Sequence, residues 1–216
     1  TRWPKPSNDS STTVRKSTES EHHMNRYTDR VVAISGAAQG LGLAMATRFA
    51  AEGATVAIAD INEKALADSA TSIATAGGAK HRSDAVDVTD SAQVANWIDG
   101  VVAEFGRIDV LINNAGIIRD NRLQDIDDED WRAVLDVSLT GSFYCARAAF
   151  GPMKHQGYGR IISMSSMSWR GNFGQSNYVA AKAGIVGLTR TSCNPKAHWQ
   201  ETPRLRRCRG PGPPSA

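Results

Sequence analysis

Cysteine is scarce, with three in 216 residues. Cys145 falls in a helical run, and Cys193 and Cys208 fall in the C-terminal tail, which makes no disulfide framework. A reducing compartment, the cytoplasm, is therefore the expected setting. No stretch approaches the roughly 20 apolar residues of a membrane helix, so no membrane partner is expected. Residues 1–23 lack the charged-then-apolar layout of a secretion signal, and no metal site is expected. What is present is ordinary for one globular domain with a sizeable core: 41% apolar and 22% charged residues.

The net charge of +3 hides an uneven distribution. Residues 1–23 carry +1 and residues 189–216 carry +5, which leaves 24–188 at −3. The basic balance thus belongs to the ends. Without aromatic interleaving or a recognisable module, the basic tail does not make nucleic acid an expected partner.

Residues 1–23 are rich in Ser, Thr, Asn, Pro and charge without hydrophobic period, and read as a disordered leader. Met24, just ahead of the first strand, reads as a natural start. From Val31 the pattern alternates. Residues 31–35 form a short apolar strand, then a glycine-rich turn leads into a helix over about 40–52. A second strand over 54–59 ends at Asp60, and a helix covers 63–76. Residues 80–86 make a weak third strand ending at Asp87-Val88. Thr89-Asp90-Ser91 can cap a helix running to Phe105, and 108–112 is a fourth strand. A long helical stretch spans 127 to about 155, and 161–165 is a fifth strand. Nearly all-apolar strands alternating with helices predict an α/β fold, a doubly wound parallel sheet of Rossmann type with right-handed crossovers.

The chemistry sits at the turns. Tyr178 and Lys182 are four apart in a stretch of helical character, so phenol and ammonium project side by side. A free phenol titrates near 10, and moving one to about 7 takes ~4 kcal/mol, a quantity that a close, partly buried cation can supply. Alone, such a pair is most often an aromatic and a solvated lysine. Gly36, Gly40 and Gly42 join the first strand to its helix, where glycine permits close backbone approach and the helix N-terminus offers free N–H groups to a diphosphate. A turn built for tight packing would look the same. Asp60, at the end of the second strand, is placed to accept hydrogen bonds from adenosine ribose hydroxyls. Its charge repels a 2′-phosphate and no arginine stands nearby in sequence, which favours NAD(H) over NADP(H).

In order and placement, Gly36-x-x-x-Gly40-x-Gly42, Asp87-Val88, Asn113-Asn114-Ala115-Gly116, the pair Ser165-Ser166 and Tyr178-x-x-x-Lys182 resemble the short-chain dehydrogenase/reductase family over residues 30–191. Residues 115–120 and 171–177 are most similar to its 3-oxoacyl-acyl-carrier-protein reductase branch. The resemblance implies hydride transfer between a nicotinamide cofactor and a carbonyl or secondary alcohol, with a 3-oxoacyl thioester as leading substrate class. It implies Tyr178 as general acid, Lys182 on the nicotinamide ribose and favouring the Tyr178 phenolate, and a serine polarising the carbonyl. Counting along the strand gives Ser166; counting back from the tyrosine gives Ser165; we take Ser166. It implies cofactor contacts from Gly36, Gln39, Gly40, Leu41, Gly42, Asp60, Ile61, Asp87, Val88, Asn114, Ala115 and Gly116, beside Tyr178 and Lys182, and a homo-oligomer.

Two departures matter. Relatives carry asparagine in the long helix, where it supports a proton relay; this chain has Ser138, which can keep part of that role, and a slower enzyme is expected. After Thr191 the text turns to Arg, Pro and Cys without period, as a shifted reading frame would produce, so strands beyond the fifth and the substrate cover are expected to be missing. Residues 24–191 then form the dinucleotide-binding domain with the active site, and 192–216 an irregular basic tail. A catalytically impaired nucleotide-binding or interaction protein is the alternative.

Overall fold

Strands apolar on both faces need cover on both, and helices on either side of the sheet supply it. The computed structural model describes residues 25–77 and 80–192. Five strands, β1 (Val31–Ser35), β2 (Thr55–Asp60), β3 (His81–Ala85), β4 (Val110–Asn113) and β5 (Arg160–Ser163), pair in the order β3-β2-β1-β4-β5, all parallel. At the centre, Val32 lies opposite both Val56 and Val110. Successive side chains alternate between faces. Val31, Ala33, Ala57 and Leu111 pack with Trp97, Ile98 and Val101 of α3 (Ser91–Phe105) and Cys145, Ala149 and Met153 of α5 (Gly141–His155). Val32, Ile34, Val56, Ile58 and Ile112 pack with Ala46 and Ala50 of α1 (Gly40–Ala51) and Leu66 and Ile73 of α2 (Glu63–Thr75). Each fully buried isoleucine or valine contributes about 1.5–3 kcal/mol.

Local signals set the ends. Asn62 Oδ1 accepts the Ala65 N–H to cap α2, Asp90 accepts from Ala92 and Gln93 to cap α3, and Gly106 ends α3 at φ 74°. The predicted cap at 89–91 is therefore Asp90 itself. The edge strand β3 is polar, and Arg82 pairs with Asp84 and Glu104 there, which blunts the edge. At the opposite end of the strands from the site, Asp109 is fully buried and accepts from Arg30, Arg107 and the Val31 N–H. Burial pushes its carboxyl upward, but the two guanidiniums and that N–H outweigh it and hold the group below its usual range.

Three sequence expectations shift. The helical stretch over 127–155 is two helices, α4 (Asp128–Leu135) and α5, joined by a π turn over Asp136–Thr140. There the Ser142 hydroxyl donates to the Ser138 carbonyl at 2.6 Å, a side-chain bond of the kind that loosens a helical ladder. Strand β4 begins two residues late, at Val110, although the Asp109 N–H and carbonyl already bond to Val31 and Arg160 of its neighbours. Strand β5 ends at Ser163, so Ser165 and Ser166 lie in the loop that leads through a short 3₁₀ turn (Met167–Arg170) to α6 (Ser176–Ser192). The leader over 1–23, Met24 and the tail beyond Ser192 lie outside the described residues.

Candidate active site

At the carboxyl ends of the strands, the loop after β1 and the turn after β4 are sewn together. Asn114 Nδ2 donates to the carbonyls of Gly36 (2.7 Å) and Ser35 (3.2 Å). The Ser35 hydroxyl accepts the N–H groups of Asn114 (3.2 Å) and Ala115 (3.3 Å). Gly42 sits in this seam: a Cβ there would stand 2.3 Å from the Gly36 carbonyl oxygen and 2.7 Å from Asn114 Nδ2. Gly40 differs. It holds φ 56°, and no atom lies within 4 Å of the place a Cβ would take. Gln39, which caps α1, makes no side-chain cap bond. The first N–H groups of α1 have no partner among the described residues, and they stand at the positive end of the helix dipole. Leu41 and Ile61 are exposed at this rim.

Asp60 closes the rim on the β2 side. Oδ2 accepts the Ala38 N–H and Oδ1 the Asn62 N–H, each at 3.1 Å, which leaves lone pairs on both oxygens. Asp87 is turned to its own loop, with Oδ1 accepting from the Thr89 N–H (2.9 Å) and hydroxyl (2.7 Å). Val88 is buried against Gly141, at the end of the π turn.

Two of the candidate groups, Ser138 and Lys182, meet at Gly116. A Cβ at Gly116 would lie 3.3 Å from Ser138 Oγ and 3.5 Å from Lys182 Nζ, so the bare glycine backbone leaves one small space that both groups border. Lys182 is 4% exposed and burial pulls its pKa below the ordinary lysine range. Its Nζ donates to the Met164 carbonyl at 2.7 Å and stands 5.4 Å from the Tyr178 ring centre. Ser138 Oγ is fully buried with no partner among the described residues. The two loop serines differ in what they do. Ser165 donates to the Lys182 carbonyl at 2.9 Å, so its one hydrogen is taken. Ser166 Oγ accepts the Ser168 N–H at 3.2 Å, and its own hydrogen has no acceptor among the described residues. Asn177, fully buried, donates to the Arg119 carbonyl at 2.9 Å and accepts the Tyr178 N–H, fixing the start of α6 against the loop after β4.

The structure thus gathers Ser138, Gly116, Tyr178 and Lys182 at one corner and Gly36, Gly42, Asn114 and Ala115 at the adjoining seam. It turns the side chains of Asp87 and Val88 elsewhere. Sequence reasoning missed Ser35, which links the two loops, and Ser69, whose hydroxyl reaches the Ala38 carbonyl at 2.7 Å. The signal for Ser69 was a serine on the apolar stripe between Leu66 and Ile73.

A family model described as short chain dehydrogenase matches residues 30–200. The chain is 45% identical over 163 residues to the short-chain reductase protein NovJ of Streptomyces niveus, covering 76% of this chain and 62% of that protein. It is 42% identical over 167 residues to the 3-oxoacyl-[acyl-carrier-protein] reductase FabG of Thermotoga maritima, covering 77% and 68%. The crystal structure of an NAD+-bound xylitol dehydrogenase shares 35% identity with a TM-score of 0.76, covering 78% of this chain and 65% of the other. The chain spans somewhat under two thirds of the length of the first of these relatives.

Proposed function

Because the chain belongs to the short chain dehydrogenase family, we propose that its residues 24–191 carry an NAD-linked oxidoreductase site that interconverts a ketone and a secondary alcohol. When bound, the nicotinamide supplies a hydride donor or acceptor. The described residues fit such a group: unpartnered N–H groups at α1, an open approach at Gly40, a carboxylate with spare lone pairs at Asp60 and the small space at Gly116. Gly36, Gln39, Gly40, Leu41 and Gly42 would hold the diphosphate, Asp60 and Ile61 the adenosine ribose, and the backbone of Asp87 and Val88, whose side chains turn away, the adenine side. Asn114, Ala115, Gly116, Tyr178 and Lys182 would hold the nicotinamide ribose end. A carboxylate at position 60 with exposed Ile61 beside it favours NAD over NADP, because a 2′-phosphate would meet like charge there.

In reduction, the Ser166 hydroxyl donates to the substrate oxygen and polarises the carbonyl. The Tyr178 hydroxyl passes its proton to that oxygen, and Lys182, held on the Met164 carbonyl, keeps a cation beside the phenol. Ser138 faces the same space as the Lys182 ammonium and offers a hydroxyl for resupplying the proton. The observation that carries the reading is this meeting of Lys182 Nζ and Ser138 Oγ at Gly116, beside Tyr178. A 3-oxoacyl thioester is the substrate class favoured, on the likeness to the FabG protein. A homo-oligomer through α4, α5 and α6 is favoured on the family likeness, and Phe143 and Phe150 are exposed on α5.

The test is NADH oxidation with a short 3-oxoacyl thioester. Tyr178→Phe should lose about 10²–10⁴-fold in kcat and far less in NADH affinity. Equal turnover by parent and variant would overturn the reading. One feature favours a second one: Ser138 stands where relatives of this family carry asparagine. NADH binding by the parent without turnover would establish a nucleotide-binding protein instead.

A further inference from the structure

Ser69 lies near the middle of α2, on the stripe that carries Leu66 and Ile73 into the core, and is fully buried. Its hydroxyl stands 2.7 Å from the Ala65 carbonyl one turn back, the usual partner of a helical serine. It also stands 2.7 Å from the carbonyl of Ala38, 31 residues away in the glycine-rich loop. Helix chemistry accounts for the first contact only. Ala38 is 5% exposed, so its carbonyl has little access to water if the serine lets go. The N–H of the same residue donates to Asp60 Oδ2, while Asp60 Oδ1 accepts the N–H of Asn62, the cap of α2. Both polar groups of Ala38 are therefore spoken for, and α2 anchors the arrangement at two points.

We propose that Ser69 is a positioning residue for the adenosine-ribose end of the dinucleotide site. Its hold on the Ala38 carbonyl keeps the Ala38 N–H on Asp60 and so fixes which face of the carboxylate meets the ribose hydroxyls. The inference rests on the dinucleotide reading given above. Releasing Ser69 frees the Ala38–Gln39 peptide, and Asp60 loses the N–H that orients it from the loop side. The effect runs through Asp60, which makes it separable from a general loss of packing.

The experiment titrates ADP-ribose by calorimetry into the full chain, Ser69→Ala, Asp60→Ala and the double variant, with thermal melts of each. Alanine favours the helix, so a cooperative melt is expected. Ser69→Ala should weaken ADP-ribose about tenfold. In the Asp60→Ala background the same substitution should change affinity by about twofold or less. Unchanged affinity in Ser69→Ala, an equal loss in both backgrounds, or the loss of a cooperative melt would each overturn the proposal, the last by making Ser69 a residue of the core alone. Failure of ADP-ribose to bind the parent chain would overturn the dinucleotide reading and this inference together.

Discussion

The seam between the glycine loop and the Asn-Ala-Gly turn makes two neighbouring glycines respond differently to one methyl group. At Gly42, a Cβ would stand 2.3 Å from the Gly36 oxygen, 2.7 Å from Asn114 Nδ2 and 2.8 Å from the Ala37 Cα. Two of these neighbours are backbone, so the loop must move by about 1 Å to restore van der Waals contact. Such overpacking costs about 1–3 kcal/mol. Movement of Asn114 also endangers its bonds to Gly36 and Ser35, at roughly 0.5–1.5 kcal/mol each. Gly42→Ala should therefore lose about 2–6 kcal/mol, a melting temperature lower by roughly 4–24 °C in a chain of this size. At Gly40 nothing lies within 4 Å, and only the φ of 56° resists a side chain; Gly40→Ala should cost about 1–2 kcal/mol. Its methyl instead enters the open space above α1, so NADH binding should weaken by more than the stability does. Thermal melts and NADH fluorescence titration check both. A Gly42→Ala protein that melts with the parent would refute the seam as drawn.

The two loop serines should separate in kinetics. Ser166→Ala should lose about 10²–10³-fold in kcat with NADH affinity unchanged, whereas Ser165→Ala, which removes a bond to the Lys182 carbonyl, should lose about 1 kcal/mol of stability and far less rate; the reverse order would reassign the pair. Replacing Asp60 by Ala and Ile61 by Arg should lower NADH affinity about tenfold or more and raise that for NADPH, measured by calorimetry; tighter NADPH binding by the parent would contradict the NAD preference. Arg26 first, and Arg48 with it, hold the Glu52 carboxyl at about 2, against an ordinary 4.5. A group held down in the fold stabilises above its unfolded pKa and loses that contribution as pH falls toward the folded value. The parent's melting temperature should thus drop between about pH 5 and 2, and Glu52→Gln should melt lower at pH 7 and change less over that window.

Much of the frame was legible because it is set by local composition. Strands that are apolar at every position, as in Val31–Ser35, must be covered on both faces, and glycine or asparagine after such a strand marks a turn at its carboxyl end. What was not legible is decided by partners distant in sequence. The end of β5 at Ser163 and the break in the long helix depend on contacts across the fold, such as the Asn113 amide on the Ser142 carbonyl and the Ser163 hydroxyl. The proposed catalytic serine shows the limit most clearly. Two adjacent hydroxyls are equivalent as text, and counting along the chain gives either one according to the end from which it starts. A hydroxyl has a single hydrogen, so its role follows from where that hydrogen goes. At Ser165 it goes to Lys182, 17 residues on, and there it fixes the backbone of the lysine. At Ser166 the oxygen takes an N–H from its own turn, and the hydrogen has no acceptor among the described residues, which is what the proposed role needs. Ser69 stands apart from Thr71 and Ser72 in a related way: its hydroxyl has an acceptor in another loop as well as one on its own helix, whereas theirs have acceptors on the helix alone.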